Sequence, residues 1–401
     1  MIEIKGIYNT AICFTDEIED QAYEQIKQLC DSKEYENSKI RIMPDVHAGK
    51  GCTIGSTITF TNKINPLLIG VDIACGMYVV ELGKQELDLE ALDKFIHENI
   101  KAGSEANAEP LETFNYNRLR CIEHLKNLDH IKNSLGSLGG GNHFIEIDES
   151  KDGTKYLIIH SGSRNLGKQV AEYYHAKSIE YVNGTVDLQT HIQQIIRDCK
   201  ATGLEKKIQT LIEQAKANFK EKQVEEDNCY LEGYLMNDYI CDATVCSEYA
   251  IRNRELIAEK IVKFLGFGYK DSFHIIHNYI DYNKKIIRKG AISAEKDQRV
   301  LIPLSMNAGC ILGKGLGNED WNCSAPHGAG RKTSRIGARE SFSLSEYKQS
   351  MEGIYSTCVN ESTIDEAPMA YKNPSDIIEN IKETVEITDI LKPIYNFKAT
   401  K

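Results

Sequence analysis

The chain has 401 residues, a length that suggests two or three domains and allows a substantial core. Its 41% hydrophobic and 27% charged residues are ordinary for a soluble globular protein. A net charge of −11 excludes a surface coated in basic charge for nucleic acid but leaves room for a local basic groove.

The start, "MIEIKGIYNT", has no apolar h-region and predicts no signal peptide. No apolar run is long enough to span a bilayer. The twelve cysteines are scattered without a CxxC pair, so the expectation is reduced thiols in the cytoplasm, mostly small core residues.

In chain order, "IEIKGIYNTAICF" predicts one or two strands. "TDEIEDQAYEQIKQLC" predicts a helix, with Asp16 and Glu19 as a capping box and Ile18, Ala22, Ile26, Leu29 and Cys30 on one face. "KIRIMPDV" and "CTIGSTITF" are β-rich. "LIGVDIACGMYVV" is apolar at both ends yet carries Asp72 and Cys75. In a straight strand, residues three apart face opposite ways. The two can share a centre only if the backbone bends, so the expectation is buried strand at Leu68–Val71 and Met77–Val80, a break at 72–76, and both side chains facing His160 and His277. "LDLEALDKFIHENI" predicts a helix.

The middle is helical: Ile208, Leu211, Ile212, Ala215 and Phe219 follow helical spacing, as do Ala250, Ile257, Ile261 and Leu265, with Gly266 ending the second run. Short strands and polar turns return over 272–345. "PSDIIENIKETVEI" predicts a late helix and "DILKPIYNF" a last strand. The class is α+β. Arg331, Lys332, Arg335 and Arg339 form an acid-free basic run that charge alone assigns to a solvated helix face.

Five histidines sit in glycine-rich or polar settings: His47, His143, His160, His277 and His327. With Asp72 and Cys75 they make a dispersed His/Cys/Asp set, which suits a transition metal better than Mg²⁺ or Ca²⁺ without separating Zn²⁺, Fe²⁺ and Mn²⁺. "GKGLG" and "GSLGGGNH" lack the ending of a P-loop and read as tight turns. "HGAGR" is more suggestive. Its glycines, Gly328 and Gly330, let backbone N–H groups approach a ligand, and Arg331 offers a bidentate phosphate donor.

Together, "MPDVHAGKGCTIG", "GVDIACGM", "LGGGNHFIEI", "HSGSRNLG", "YLEG", "HNYI", "RKGAI", "CSAPHGAGRKTSR", "EAPMAYK" and "LKPIYNFK" resemble the RtcB family of GTP-dependent RNA-splicing ligases, in family order from residue 43 to 398. The resemblance implies one catalytic unit over residues 1–401, a β-rich core with a helical insertion at about 187–266. It implies two Mn²⁺ ions held by Asp72, Cys75, His143, His160 and His277, with the Cys75 thiolate bridging. It implies that His327 becomes guanylylated by GTP. Asn142 then contacts nucleotide phosphates, with Gly328 and Gly330 beside His327, Phe144, Glu146, Tyr371 and Lys398 around guanine and ribose, and Ser305 in a phosphate loop. Arg164 and Arg331 match arginines that hold RNA or nucleotide phosphates. The implied partners are RNA ends bearing 3′-phosphate (or 2′,3′-cyclic phosphate) and 5′-hydroxyl, with an archease-type activator as a further candidate and no membrane.

Two departures stand out. The family's "PGSMG"-like loop reads "PLSMNAG" at 303–309, which removes a glycine's backbone freedom where a triphosphate is expected. The tail continues past the matching lysine as "FKATK". The residues alone also permit a metal-dependent phosphodiesterase or phosphatase, or a non-catalytic RNA-binding homologue.

Overall fold

A computed structural model describes residues 1–399; the last two residues of the tail lie outside the described residues. The N-terminal run forms two strands, β1 (Ile2–Lys5) and β2 (Thr10–Cys13), paired antiparallel. Helix α1 (Asp20–Asp31) buries Ala22, Ile26, Leu29 and Cys30, as the spacing predicts. The capping box does not form. Glu19 is the N-cap residue without a side-chain cap bond, and the Asp16 carboxylate pairs with the terminal amino group instead. Strands β3 (Ile40–His47) and β4 (Ile54–Thr59) follow, then the short β5 (Lys63–Ile64).

The "LIGVDIACGMYVV" stretch is strand only in its second half. Residues Pro66–Leu68 form a 3-10 turn with Pro66 at its start and the Asn65 side chain capping Leu67 N–H. Val71 is 43% exposed, so the expected strand at Leu68–Val71 is corrected to turn and loop. Positive φ at Gly70 (88°) and Ala74 (59°) turns the chain sharply, and β6 (Gly76–Gly83) begins only after Cys75. Gly76 is constrained by its neighbour: a Cβ there would lie 2.1 Å from the Ile275 carbonyl oxygen.

Next come α2 (Leu89–Asn99), α3 (Leu128–Asn133), β7 (Phe144–Glu149) and β8 (Lys155–Ser161). The helical stretch holds α4 (Arg164–Val182), α5 (Thr185–Ala201) and α6 (Ile208–Asn218). After β9 (Leu231–Glu232) runs the 33-residue α7 (Gly233–Leu265), closed by Gly266 in the left-handed region. Then come β10 (Asp271–Ile276), β11 (Asn278–Asp281), β12 (Ile286–Lys289), β13 (Ala291–Ser293), β14 (Arg299–Ser305), β15 (Gly309–Gly315) and β16 (Ser324–Pro326). Helices α8 (Arg335–Ser341), α9 (Leu344–Ser350) and α10 (Pro374–Asn380) precede β17 (Val385–Lys398). The late helix is thus shorter than its sequence pattern, because "VEI" already belongs to the final strand.

Two sheets carry the architecture, with orders β1-β2-β3-β4-β12-β11 and β10-β6-β8-β7-β17-β15-β14. Helix α7 ties them together. Val245 and Ala250 pack in one core with Ile40, Ile42 and Ile58 of the first sheet. Ile257 and Ile261 pack in another with Val80, Leu157 and Ile159 of the second. In contrast, α6 has no fully buried residue. All twelve cysteines are free, and all but Cys241 are buried. No helix among the described residues is long and apolar enough to cross a membrane.

Trp321 anchors the first sheet from the side. It is 1% exposed and stacks on Phe14 at 3.7 Å between ring centroids, with 6° between the planes. Trp321→Ala leaves a large void and is expected to lower unfolding stability by about 3–5 kcal/mol in urea denaturation.

Candidate active site

The loop before β6, the start of β7 and the ends of β8 and β10 bring Asp72, Cys75, His143, His160 and His277 together. Their donor atoms fall into two groups sharing Cys75, one with Asp72 and His143, the other with His160 and His277; each group's atoms lie within 4.8 Å of one another. Cys75 Sγ is 3.4 Å from His143 Nε2 and 3.3 Å from His160 Nε2. Asp72 packs on His143 rather than facing His160 and His277, a correction to the expected orientation; only Cys75 faces both sides.

Backbone carbonyls set the tautomers. His143 Nδ1 lies 2.9 Å from Leu138 O and His160 Nδ1 3.2 Å from Asn142 O, so each Nδ1 carries the proton and each Nε2 offers a lone pair to the centre. Burial holds the His160 and His277 imidazoles well below their ordinary pKa, hence neutral, and pushes the Cys75 thiol well up. His143 Nε2 then lies 3.0 Å from a carboxylate oxygen, and His160 Nε2 lies 3.4 Å from His277 Nε2. At His143 and Asp72 an imidazole lone pair faces a carboxylate oxygen, which fits a shared cation. Carboxylate, imidazole and thiolate together fit a transition metal.

The loops are braced from α7. Asn253 accepts from the N–H groups of Gly136 and Ser137, and Arg254, fully buried, donates to Ala74 O (3.0 Å) and Ser161 O (2.7 Å).

Above the cluster opens a cavity of about 620 Å³. His160 lies in its floor and His327 in its wall, with the His277 and His327 rings 4.7 Å apart. Asp45 of β3, fully buried, accepts from His327 Nδ1 (2.6 Å) and from the backbone N–H groups of His327 (3.1 Å) and Gly328 (3.2 Å). The imidazole is thereby fixed with Nε2 unprotonated. Gly330 is required at φ 74°, since a Cβ would meet Asp45 O at 2.4 Å.

A family model described as "tRNA-splicing ligase RtcB" matches residues 25–126 and 106–399. The chain belongs to the RtcB family. It is 29% identical over 403 residues to the RNA-splicing ligase RtcB of Escherichia coli (strain K12), covering 90% of each chain. RNA-splicing ligase RtcB1 of E. coli (strain ATCC 25922) is similar to the same extent. The tRNA-splicing ligase RtcB of Archaeoglobus fulgidus is 26% identical over 429 residues, covering 84% of this chain and 82% of the relative.

The other expected RtcB positions divide by place. Asn142, Phe144, Glu146, Ser305, Gly328, Gly330, Arg331, Tyr371 and Lys398 line the cavity. Arg164 does not: its guanidinium donates to Gly103 O and Ser137 Oγ, on the Asp72 side of the cluster. In the 303–309 loop only Gly309 has positive φ (74°), so Leu304 costs the backbone nothing. What changes is the wall, where a buried leucine side chain stands.

The basic run is only partly a solvated face: Lys332 is exposed, but the three arginines are paired. Arg331 and Arg335 pair with Glu366, Arg335 and Arg339 with Asp365, and Lys398 and Tyr371 also bond Glu366. Asp365 and Glu366 are nearly fully buried. Burial alone would raise Glu366, but Lys398 and Arg335 hold it at about 2. A depressed folded pKa stabilises fully above the unfolded value and fades as pH falls towards the folded one. Glu366→Gln is therefore expected to cost about 3 kcal/mol at neutral pH. In urea unfolding its gap to the unsubstituted chain closes as pH drops from about 5 to about 2.

Proposed function

We propose that residues 1–401 act as one catalytic unit, a cytoplasmic RNA ligase that joins RNA 3′-phosphate or 2′,3′-cyclic phosphate ends to 5′-hydroxyl ends through a GMP–histidine intermediate. The carrying observation is His327: Asp45 holds its Nδ1, which leaves Nε2 for a cavity that His160 of the Cys75 cluster also lines.

His327 Nε2 attacks the α-phosphorus of GTP, forming the N–P bond as the P–O bond to pyrophosphate breaks. Asp45 stabilises the positive charge that develops on the ring. A 2′,3′-cyclic phosphate is first opened by water, which breaks the P–O2′ bond and returns the proton to O2′, and the RNA 3′-phosphate then takes GMP from His327 as the N–P bond breaks. The 5′-hydroxyl then attacks the activated phosphorus, and GMP leaves with the electron pair. Asp72, Cys75, His143, His160 and His277 would hold two Mn²⁺ ions, which when bound neutralise charge on the phosphates. Glu146, Phe144, Tyr371 and Lys398 surround the base and ribose, Asn142 and Ser305 meet phosphates, and Arg164 and Arg331 hold RNA or nucleotide phosphate.

The test is incubation with Mn²⁺ and GTP labelled at the α-phosphate, followed by RNA ends of the stated chemistry. A covalent label that is labile in acid and stable in base, then passed to RNA with joining, supports the reading. RNA cleavage without label would replace it with a phosphodiesterase. Adding an archease-type protein to the same assay reads whether it raises turnover. Leu304→Gly opens the cavity wall and is expected to change KM for GTP by about 3- to 30-fold with a smaller change in kcat, read by steady-state labelling.

A further inference from the structure

Behind the cavity floor lies a second group of buried donors. Glu146 and Asp148, two apart on β7, face the same side of the sheet, and Cys310 reaches them from β15; the donor atoms lie within 4.8 Å of one another. Asp148 and Cys310 are fully buried and Glu146 is 3% exposed. Neither oxygen of Asp148 has a hydrogen-bond partner. Glu146 receives only the Asn396 amide and the Cys310 thiol, and Asn396 Oδ1 is itself unpartnered. Among the described residues no Lys, Arg or His makes an ion pair with either carboxylate; the Lys398 charge that acts on Glu146 from further off is paired with Glu366.

Two adjacent buried carboxylates cannot both stay ionised without a counter-charge. One shared proton would serve one oxygen of each and leave the second Asp148 oxygen and Asn396 Oδ1 bare. A cation serves oxygens of both carboxylates and the Cys310 sulfur at once. We propose that Glu146, Asp148 and Cys310 form a divalent transition-metal site of their own, sharing no ligand with the Cys75 cluster and taking a zinc-class ion. The thiol selects against Mg²⁺ and Ca²⁺. Glu146 and Asn396 line the cavity, so the ion has an entry route. Binding releases the thiol proton and any proton held between the carboxyls to solvent, with no redox change. Burial raises all three groups when empty, Asp148 to about 6, which makes uptake pH-dependent. The bound ion keeps Glu146 ionised at the cavity floor.

The test is titration of the metal-stripped full chain with Co²⁺, reading sulfur-to-cobalt charge-transfer absorption. Cys75→Ser removes the thiolate of the first cluster, so a charge-transfer band with one equivalent of Co²⁺ is expected to remain. Adding Cys310→Ser should abolish that band. Asp148→Asn in the Cys75→Ser background should weaken it by at least about tenfold in Co²⁺ affinity. Melting curves confirm that each variant is folded. In the unsubstituted chain, infrared spectra should lose a carboxylic-acid carbonyl band as Zn²⁺ saturates. No band in folded Cys75→Ser, or a carboxylic-acid signal that Zn²⁺ leaves unchanged, would overturn the site in favour of a shared proton.

Discussion

His327→Ala is expected to take no label from α-labelled GTP and to lose RNA joining by on the order of 10³-fold or more. The Asp45 carboxylate holds the ring at Nδ1 and leaves Nε2 for the cavity. Alanine leaves Asp45 with two backbone N–H donors, so the loss of stability should be small, about 1–2 kcal/mol. That separates chemistry from folding: a folded variant without label supports the nucleophile, whereas a labelled His327→Ala chain removes it. Asp45→Asn makes the finer cut. It keeps the shape but removes the charge facing the ring, and about 10²- to 10⁴-fold slower labelling is expected at unchanged RNA affinity. An Asp45→Asn chain that labels at full rate would reduce Asp45 to a structural role.

What the sequence made legible was local. The face of α1 and the stop at Gly266 follow from side-chain periodicity and one left-handed residue. Leu68–Val71 misled because a short apolar run reads the same in a strand and a buried turn, and Pro66 with Asn65 favours the turn. The basic run misled because its acids, Asp365 and Glu366, arrive some thirty residues later and pair through tertiary contacts. The metal set has no local signature: Cys75 lies 68 positions from His143 and 85 from His160, and only the ordered motifs of the family joined them. Asp45 was missed although its motif was in view. An acid inside the apolar stretch "IMPDV" is a costly choice that signals a buried partner. Asn253 and Arg254 were hidden in a helix whose apolar spacing drew attention to its other residues.

Cys75→Ala is expected to have the second large effect, because its sulfur belongs to both donor groups. Losing it leaves Asp72 with His143 on one side and His160 with His277 on the other, two donors each. Neither pair resembles a complete site for a divalent ion. With Cys310→Ser in both chains, dialysed protein should retain well under one Mn²⁺ where the chain with Cys75 retains two, and RNA joining should fall by at least about a hundredfold. His277→Ala provides the contrast. It breaks one group and spares Asp72, Cys75 and His143, so one ion should remain. Should Cys75→Ala and His277→Ala lose the same amount of metal, the thiolate does not bridge. The loop that carries Cys75 supplies an independent check. Arg254→Met removes the donors to Ala74 O and Ser161 O without touching a ligand. If the bracing matters, metal affinity falls by about 10- to 100-fold while all five ligands are present.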